Sequence, residues 1–193
     1  MKPKELRTKE LKALKDKANL LASMHSRMSD IYRRWYTVIS SLILAFSTFL
    51  VGLAFISEEF VEKSIGLHPI ALKWIVGITS ILTFLGVLLL TEWGFQGKAV
   101  EHREAVRFYF RIANKIREWL DNAVEITPQM LENIRAEYSQ TQSIPKIPDS
   151  RFLELKQWHL RKVAVSKEME KSPFLSIRKI SKRIQKSYQV TTI

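Results

Sequence analysis

Residues 36–56 read YTVISSLILAFSTFLVGLAFI, twenty-one residues without a charge. At about 1.5 Å of rise per residue, a helix of that length reaches about 31 Å, the thickness of a bilayer's hydrocarbon core. Residues 74–91 read WIVGITSILTFLGVLLLT, also uncharged. Ile70, Ala71 and Leu72 lead into this second run, and the intervening Lys73 can snorkel. The two runs predict two membrane spans. The competing reading, a pair of buried helices in a soluble bundle, asks a small domain to bury two such runs. The first run is too long for a cleaved leader, and it follows 35 residues of helix-forming sequence.

Charge sets the expected topology. Of 31 Lys and Arg in 193 residues, ten precede residue 36, and nineteen follow residue 93. The connection 57–73 has only Lys63 and Lys73, against Glu58, Glu59 and Glu62. The positive-inside rule then places both termini in the cytoplasm. Tyr32, Trp35, Tyr36, Trp93 and Phe95 mark the inner interface, and Phe60 and Trp74 the outer one. The net charge of +12 calls for an anionic partner: nucleic acid, an acidic protein or a phospholipid surface.

The expected fold is all-α: a two-helix transmembrane hairpin with a long N-terminal helix and a C-terminal cytoplasmic helical bundle. Its parts are an N-terminal helix (1–35), the hairpin (36–93, spans 36–56 and 74–93, outer loop 57–73), a helical region (94–142), a Pro-containing linker (143–150) and a C-terminal extension (151–193). Leu14, Leu21, Met28 and Trp35 recur every seven residues, flanked by Leu11, Ala18, Met24 and Ile31. That seam joins two chains or packs on the C-terminal region of its own. With no Pro or Gly between that seam and the first span, one helix from about Lys4 to Ile56 is expected.

Gly94 to Gly97 permits a bend after the second span. Ala105, Tyr109, Ile112, Ile116, Trp119 and Ala123 then follow at helical spacing. Thr127-Pro128 reads as an N-cap before Pro at the first helical position. Asp149 or Ser150 is expected to cap the helix carrying Phe152, Leu155 and Trp158. Ser172-Pro173 is expected to restart a last helix, with Phe174, Ile177, Ile180, Ile184 and Tyr188 on one side.

Little in the chain points to catalysis. With no Cys there is no disulfide scaffold, thiolate zinc or cysteine nucleophile. His25, His68, His102 and His159 show no metal-ligand spacing on one helix and read as surface or interface residues. There is no Gly-rich phosphate loop or nucleophile elbow. The expectation is a non-enzyme without cofactors.

The spans themselves carry more. Thr37, Ser40, Ser41, Ser47 and Thr48 fall on one face of the first span, with Ala45 and Gly52 at its edge. Thr79, Thr83 and Gly86 form a smaller version on the second. Small hydroxylated residues let helices approach closely, either within the hairpin, between protomers or along a pore wall. Glu58, Glu59 and Glu62 would ring the outer mouth of such a pore and favour cations. Past Glu170 there is no acidic residue. There Arg178, Lys179, Lys182, Arg183 and Lys186 alternate with the isoleucines, a pattern suited to anionic lipid or nucleic acid.

The layout of a cytoplasmic helix, two close spans and then GKAVEHREAVRFYFRIANKIREWL resembles the SLATT family. The likeness sits at His102, Ala105 and Tyr109, with Glu118 further on, and residues 144–174 resemble the extension of the reverse-transcriptase-associated branch. The resemblance implies a bacterial inner-membrane effector of anti-phage conflict systems that oligomerises, permeabilises the membrane and halts growth. It also implies a reverse transcriptase or nucleotide-signal partner. A membrane-tethered sensor or scaffold without a pore is the alternative.

Overall fold

A computed structural model describes residues 3–55, 68–122, 124–140 and 144–190. These form six helices and, among the described residues, no strand: α1 (Pro3–Ala54), α2 (Pro69–Trp93), α3 (Phe95–Asp121), α4 (Pro128–Ser139), α5 (Asp149–Lys171) and α6 (Ile177–Val190). The chain divides into two compact units, one made of residues 1–28 and 102–193, the other of 29–101.

The ends of the helices follow from local chemistry. α1 runs unbroken for 52 residues, Pro3 standing in its first turn and Gly52 in its last, as the lack of Pro and Gly between the seam and the first span predicts. His68 caps α2, its Nδ1 accepting from the Ile70 N–H at 3.3 Å, with Pro69 in the first turn. Gly94 ends α2 in the left-handed region (φ 56°), a conformation a Cβ would strain, and α3 starts at the next residue. Thr127 caps α4 by accepting from the Met130 N–H at 3.2 Å.

Two boundaries differ from expectation. Neither Asp149 nor Ser150 caps α5. The Pro148 carbonyl already accepts from the Arg151 and Phe152 N–H groups, so both residues lie inside the first turn, where Asp149 opposes the positive end of the helix. The last helix begins at Ile177, not at Ser172-Pro173. Ser172 closes α5 through its N–H to the Glu168 and Met169 carbonyls, and a turn follows before the Ser176 carbonyl starts α6. Phe174 therefore lies outside any helix.

In the first unit, Leu11, Ala18 and Ala22 of α1 join Ala105, Tyr109, Ile112, Ala113 and Ile116 of α3 and Leu131 and Ile134 of α4 in one core. Leu14 and Leu21 pack against it half-buried. The seam is thus filled within the chain, and its buried line is rotated from the expected 14-21-28-35 row toward Leu11, Ala18 and His25. Trp35, at the end of the expected row, is exposed. Arg7 donates to the Ile126 carbonyl at 2.7 Å, and Lys115 pairs with Glu137 at 2.9 Å. These partly exposed pairs add little beside the fully buried isoleucines, each worth about 2–5 kcal/mol against Ala.

In the second unit, Ser29 donates to the Ala99 carbonyl at 2.8 Å, Tyr32 meets the Phe95 ring at 6.4 Å, and the Ile43 side chain faces Gly86. Residue numbers rise on one strand of these contacts as they fall on the other, so the segments run antiparallel. Phe95, expected at a membrane interface, is instead buried between Tyr32 and Trp93, because the left-handed turn at Gly94 swings it inward. A Cβ added at Gly86 would stand 3.0 Å from Ile43 Cγ1. Gly86→Leu is therefore expected to cost about 1–3 kcal/mol through overpacking, and Ile43→Ala in the same chain should recover most of it. Thermal unfolding of both variants in detergent checks this.

Outside that contact line the two helices are bare. No residue in the most apolar stretch of either is buried within the chain. Leu44, Phe49, Val51, Ile78, Ile81 and Phe84 are all about half exposed or more. Both helices are long and apolar enough to cross a membrane.

Candidate functional site

The main polar cluster of the first unit lies in its core. His25 on α1 and His102 on α3 are 2 % and 3 % exposed, with their Nδ1 atoms 2.8 Å apart. One ring must donate Nδ1–H and the other accept, so the contact requires at least one Nδ1 without a proton. The Tyr109 ring stacks on His25 at 5.6 Å, and Tyr138 of α4 lies 5.9 Å from Tyr109. The Tyr138 hydroxyl is buried with no hydrogen-bond partner among the described residues. On α5, His159 Nδ1 meets Ser23 Oγ. Because the Ser23 hydroxyl proton points at the Leu20 carbonyl at 2.9 Å, His159 is the donor.

Burial governs the ionisation of these groups. It lowers His25 to about 4, helped by the neighbouring His102. It raises Tyr138 to about 12, with Tyr109 adding to the effect, and raises Tyr109 itself. His159 is lowered by burial and then by Lys162. At neutral pH His25 is therefore an uncharged hydrogen-bonding ring, not a cation. Chemically the cluster is a polar clasp joining α1, α3 and α4, with a second tie from α1 to α5. The Ser23 hydroxyl does touch an imidazole, but with His159 donating to it the ring does not take its proton, and among the described residues no three His, Cys, Asp or Glu side chains could share a metal ion.

The family-like residues His102, Ala105 and Tyr109 come together on the buried face of α3. The reading of His25 and His102 as surface or interface residues is corrected: they pair inside one chain. His25, Ser23, Tyr138 and His159 were not picked out as functional by sequence. The signal for His25 was present, since it continues the seven-residue spacing Leu11, Ala18.

The small residues of the spans divide. Ser40 and Ser47 are half-buried, as are Thr79, Thr83 and Gly86, whereas Thr37, Ser41, Thr48 and Gly52 are exposed. Thr37, Thr48 and Thr83 each donate to the carbonyl four residues back, so these hydroxyls need no water or partner. Glu58, Glu59 and Glu62 lie outside the described residues. Arg178, Lys179, Lys182 and Arg183 are exposed on α6, Arg183 reaching Glu168 at 3.8 Å, and the Lys186 side chain lies outside the description. No protein-family model, curated protein or solved structure matches this chain.

Proposed function

We propose that the chain is a SLATT-like effector of a bacterial anti-phage system. Residues 36–56 and 74–93 form a hairpin through the inner membrane, with residues 1–35 and 94–193 in the cytoplasm. The assembled protein permeabilises the membrane and halts growth. A reverse transcriptase or a nucleotide signal supplies the trigger by binding the resting and active forms unequally. The observation that carries the reading is the bare apolar surface of α1 and α2. In water, about half-exposed Leu, Ile and Phe side chains along two long helices would aggregate, whereas lipid covers them at no cost.

One set of contacts favours the second reading, a tethered sensor or scaffold without a pore. The seam from Leu11 to Met28 is used up inside the chain, and the Thr37, Thr48 and Thr83 hydroxyls are satisfied by their own helices. Neither feature is held in reserve for a neighbouring protomer. Dye or ion efflux from liposomes holding the purified chain separates the two: leakage supports the effector, and tight liposomes support the tether.

If assembly drives leakage, contact between chains falls to the outward side of α1, where Ser41, Thr48 and Gly52 lie. Light scattering in detergent should then give a multiple of the single-chain mass. Replacing Ser40, Ser41 and Ser47 together by Leu should abolish leakage and toxicity while keeping insertion, because Leu at the exposed Ser41 blocks close approach between chains, Leu at the half-buried Ser40 and Ser47 alters packing within the chain, and all three raise apolarity. Undiminished toxicity in that variant would remove the role of these serines.

A further inference from the structure

We propose that the α5–α6 end of the first unit is a binding face for anionic phospholipid, which clamps this part of the chain to a bilayer surface. This rests on the membrane reading above.

Five observations converge there. Phe174 is 100 % exposed in the turn after Pro173, and Ile177, the first residue of α6, is 61 % exposed. Beside them on α5 lies an open groove of about 610 Å³ with an apolar floor of Trp158, Val165, Met169 and Pro173. Arg161 and Lys162 stand along this groove, with one acidic group, Glu170. Lys162 holds its ammonium 5.4 Å from the Trp158 ring centre. Finally, residues 171–193 carry six Lys and Arg and no Asp or Glu.

The packing of α6 decides how these parts are used. Ile180 is completely buried and Ile184 half-buried, so the middle of the apolar stripe holds the helix to the protein. Glu168 on α5 takes up Lys171 and Arg183 at 3.8 Å each. What remains outward is an apolar tip, Phe174 and Ile177, next to Arg178, Lys179 and Lys182. An apolar tip beside exposed cations, next to an apolar-floored groove with two more, matches a lipid with an anionic headgroup. Nucleic acid would use the cations but leaves Phe174, Ile177 and the groove floor in water unless bases stack on them.

The cysteine-free full chain makes the test direct. Phe174→Cys is labelled with an environment-sensitive fluorophore and placed in nanodiscs of phosphatidylcholine alone, or with added phosphatidylglycerol. Leu44→Cys, on the bare side of α1, is labelled as a second reporter. The Leu44 label should be lipid-buried in both discs. The Phe174 label should shift to the blue and be quenched by spin-labelled lipid only with phosphatidylglycerol, and high salt should reverse this. Arg178→Gln, Lys179→Gln and Lys182→Gln together should raise the phosphatidylglycerol fraction needed by about threefold or more. A Phe174 label that stays in water in both discs, while the Leu44 label is buried, overturns the proposal alone. A Leu44 label in water overturns the membrane reading and the proposal with it. A Phe174 label that answers to single-stranded oligonucleotide but not to phosphatidylglycerol assigns the face to nucleic acid and overturns the lipid assignment.

Discussion

A chain carrying Leu82→Arg together with Leu85→Arg is expected to lose its second span while the first still holds it in the membrane, so that a Ser139→Cys reporter becomes open to an impermeant maleimide in intact cells. Both positions lie at the middle of the second apolar run, and both side chains are nearly half exposed, at 49 % and 47 %. On a helix bathed in water, Arg at two such sites changes stability by about 0.5 kcal/mol or less each. At the centre of a membrane helix each costs about 2.5–3.5 kcal/mol of insertion. Together that is a shift of about four powers of ten in partition. The same substitution is therefore nearly silent in one account and disabling in the other. Asn114→Arg, exposed on α3 in the first unit, serves as the control and should leave the Ser139→Cys reporter shielded in intact cells.

Acidification is expected to loosen the first unit. The folded state holds His25 near 4, below its ordinary 6.5. Between those values the unfolded chain binds a proton that the folded chain refuses. Stability is thus intact above about pH 6.5 and falls as the pH drops toward 4. The full loss from His25 is about 3 kcal/mol once the pH is below both values. His159, also lowered, adds to the loss in the same direction. The groups that face His25 are the His102 ring at 2.8 Å and the Tyr109 ring at 5.6 Å, and neither offers a carboxylate to hold the cation. Amide exchange at residues 102–116, corrected for the intrinsic pH effect, should accelerate between pH 6.5 and 4.5. His25→Gln should flatten that dependence. An exchange profile that does not change with pH in the parent chain would mean that the pair opens to water at no cost.

How much of this was legible in the sequence depends on how local the cause is. The two apolar runs, the length of α1, the Gly94 turn and the Thr127 cap each rest on residues within one turn of each other, and each could be read directly. The ends of α5 and α6 could not. Ser172 has the look of a cap, and only the preceding helix's demand for its N–H makes it a terminator. The seam could be read, but its partner could not, because a stripe such as Leu11, Ala18 and Ala22 is equally suited to another chain or to α3. The serines and threonines of the first span share one arc of the helix, yet the arc turned toward α2 is centred on Ile39, Ile43, Phe46 and Leu50. Gly86 set that rotation by letting Ile43 in close. The His25–His102 clasp joins residues 77 apart, and no spacing within a single helix predicts it.

The two-span topology is tested most directly by cysteine accessibility in a chain with none of its own. Lys63→Cys and Asn114→Cys are expressed singly in bacteria, and intact spheroplasts are exposed to a maleimide on a polymer too large to cross the membrane. The account predicts labelling at position 63 in intact cells, and at position 114 only after the membrane is dissolved. Labelling of both positions only after dissolution, or of both in intact cells, would put the two sites on one side and contradict a pair of spans.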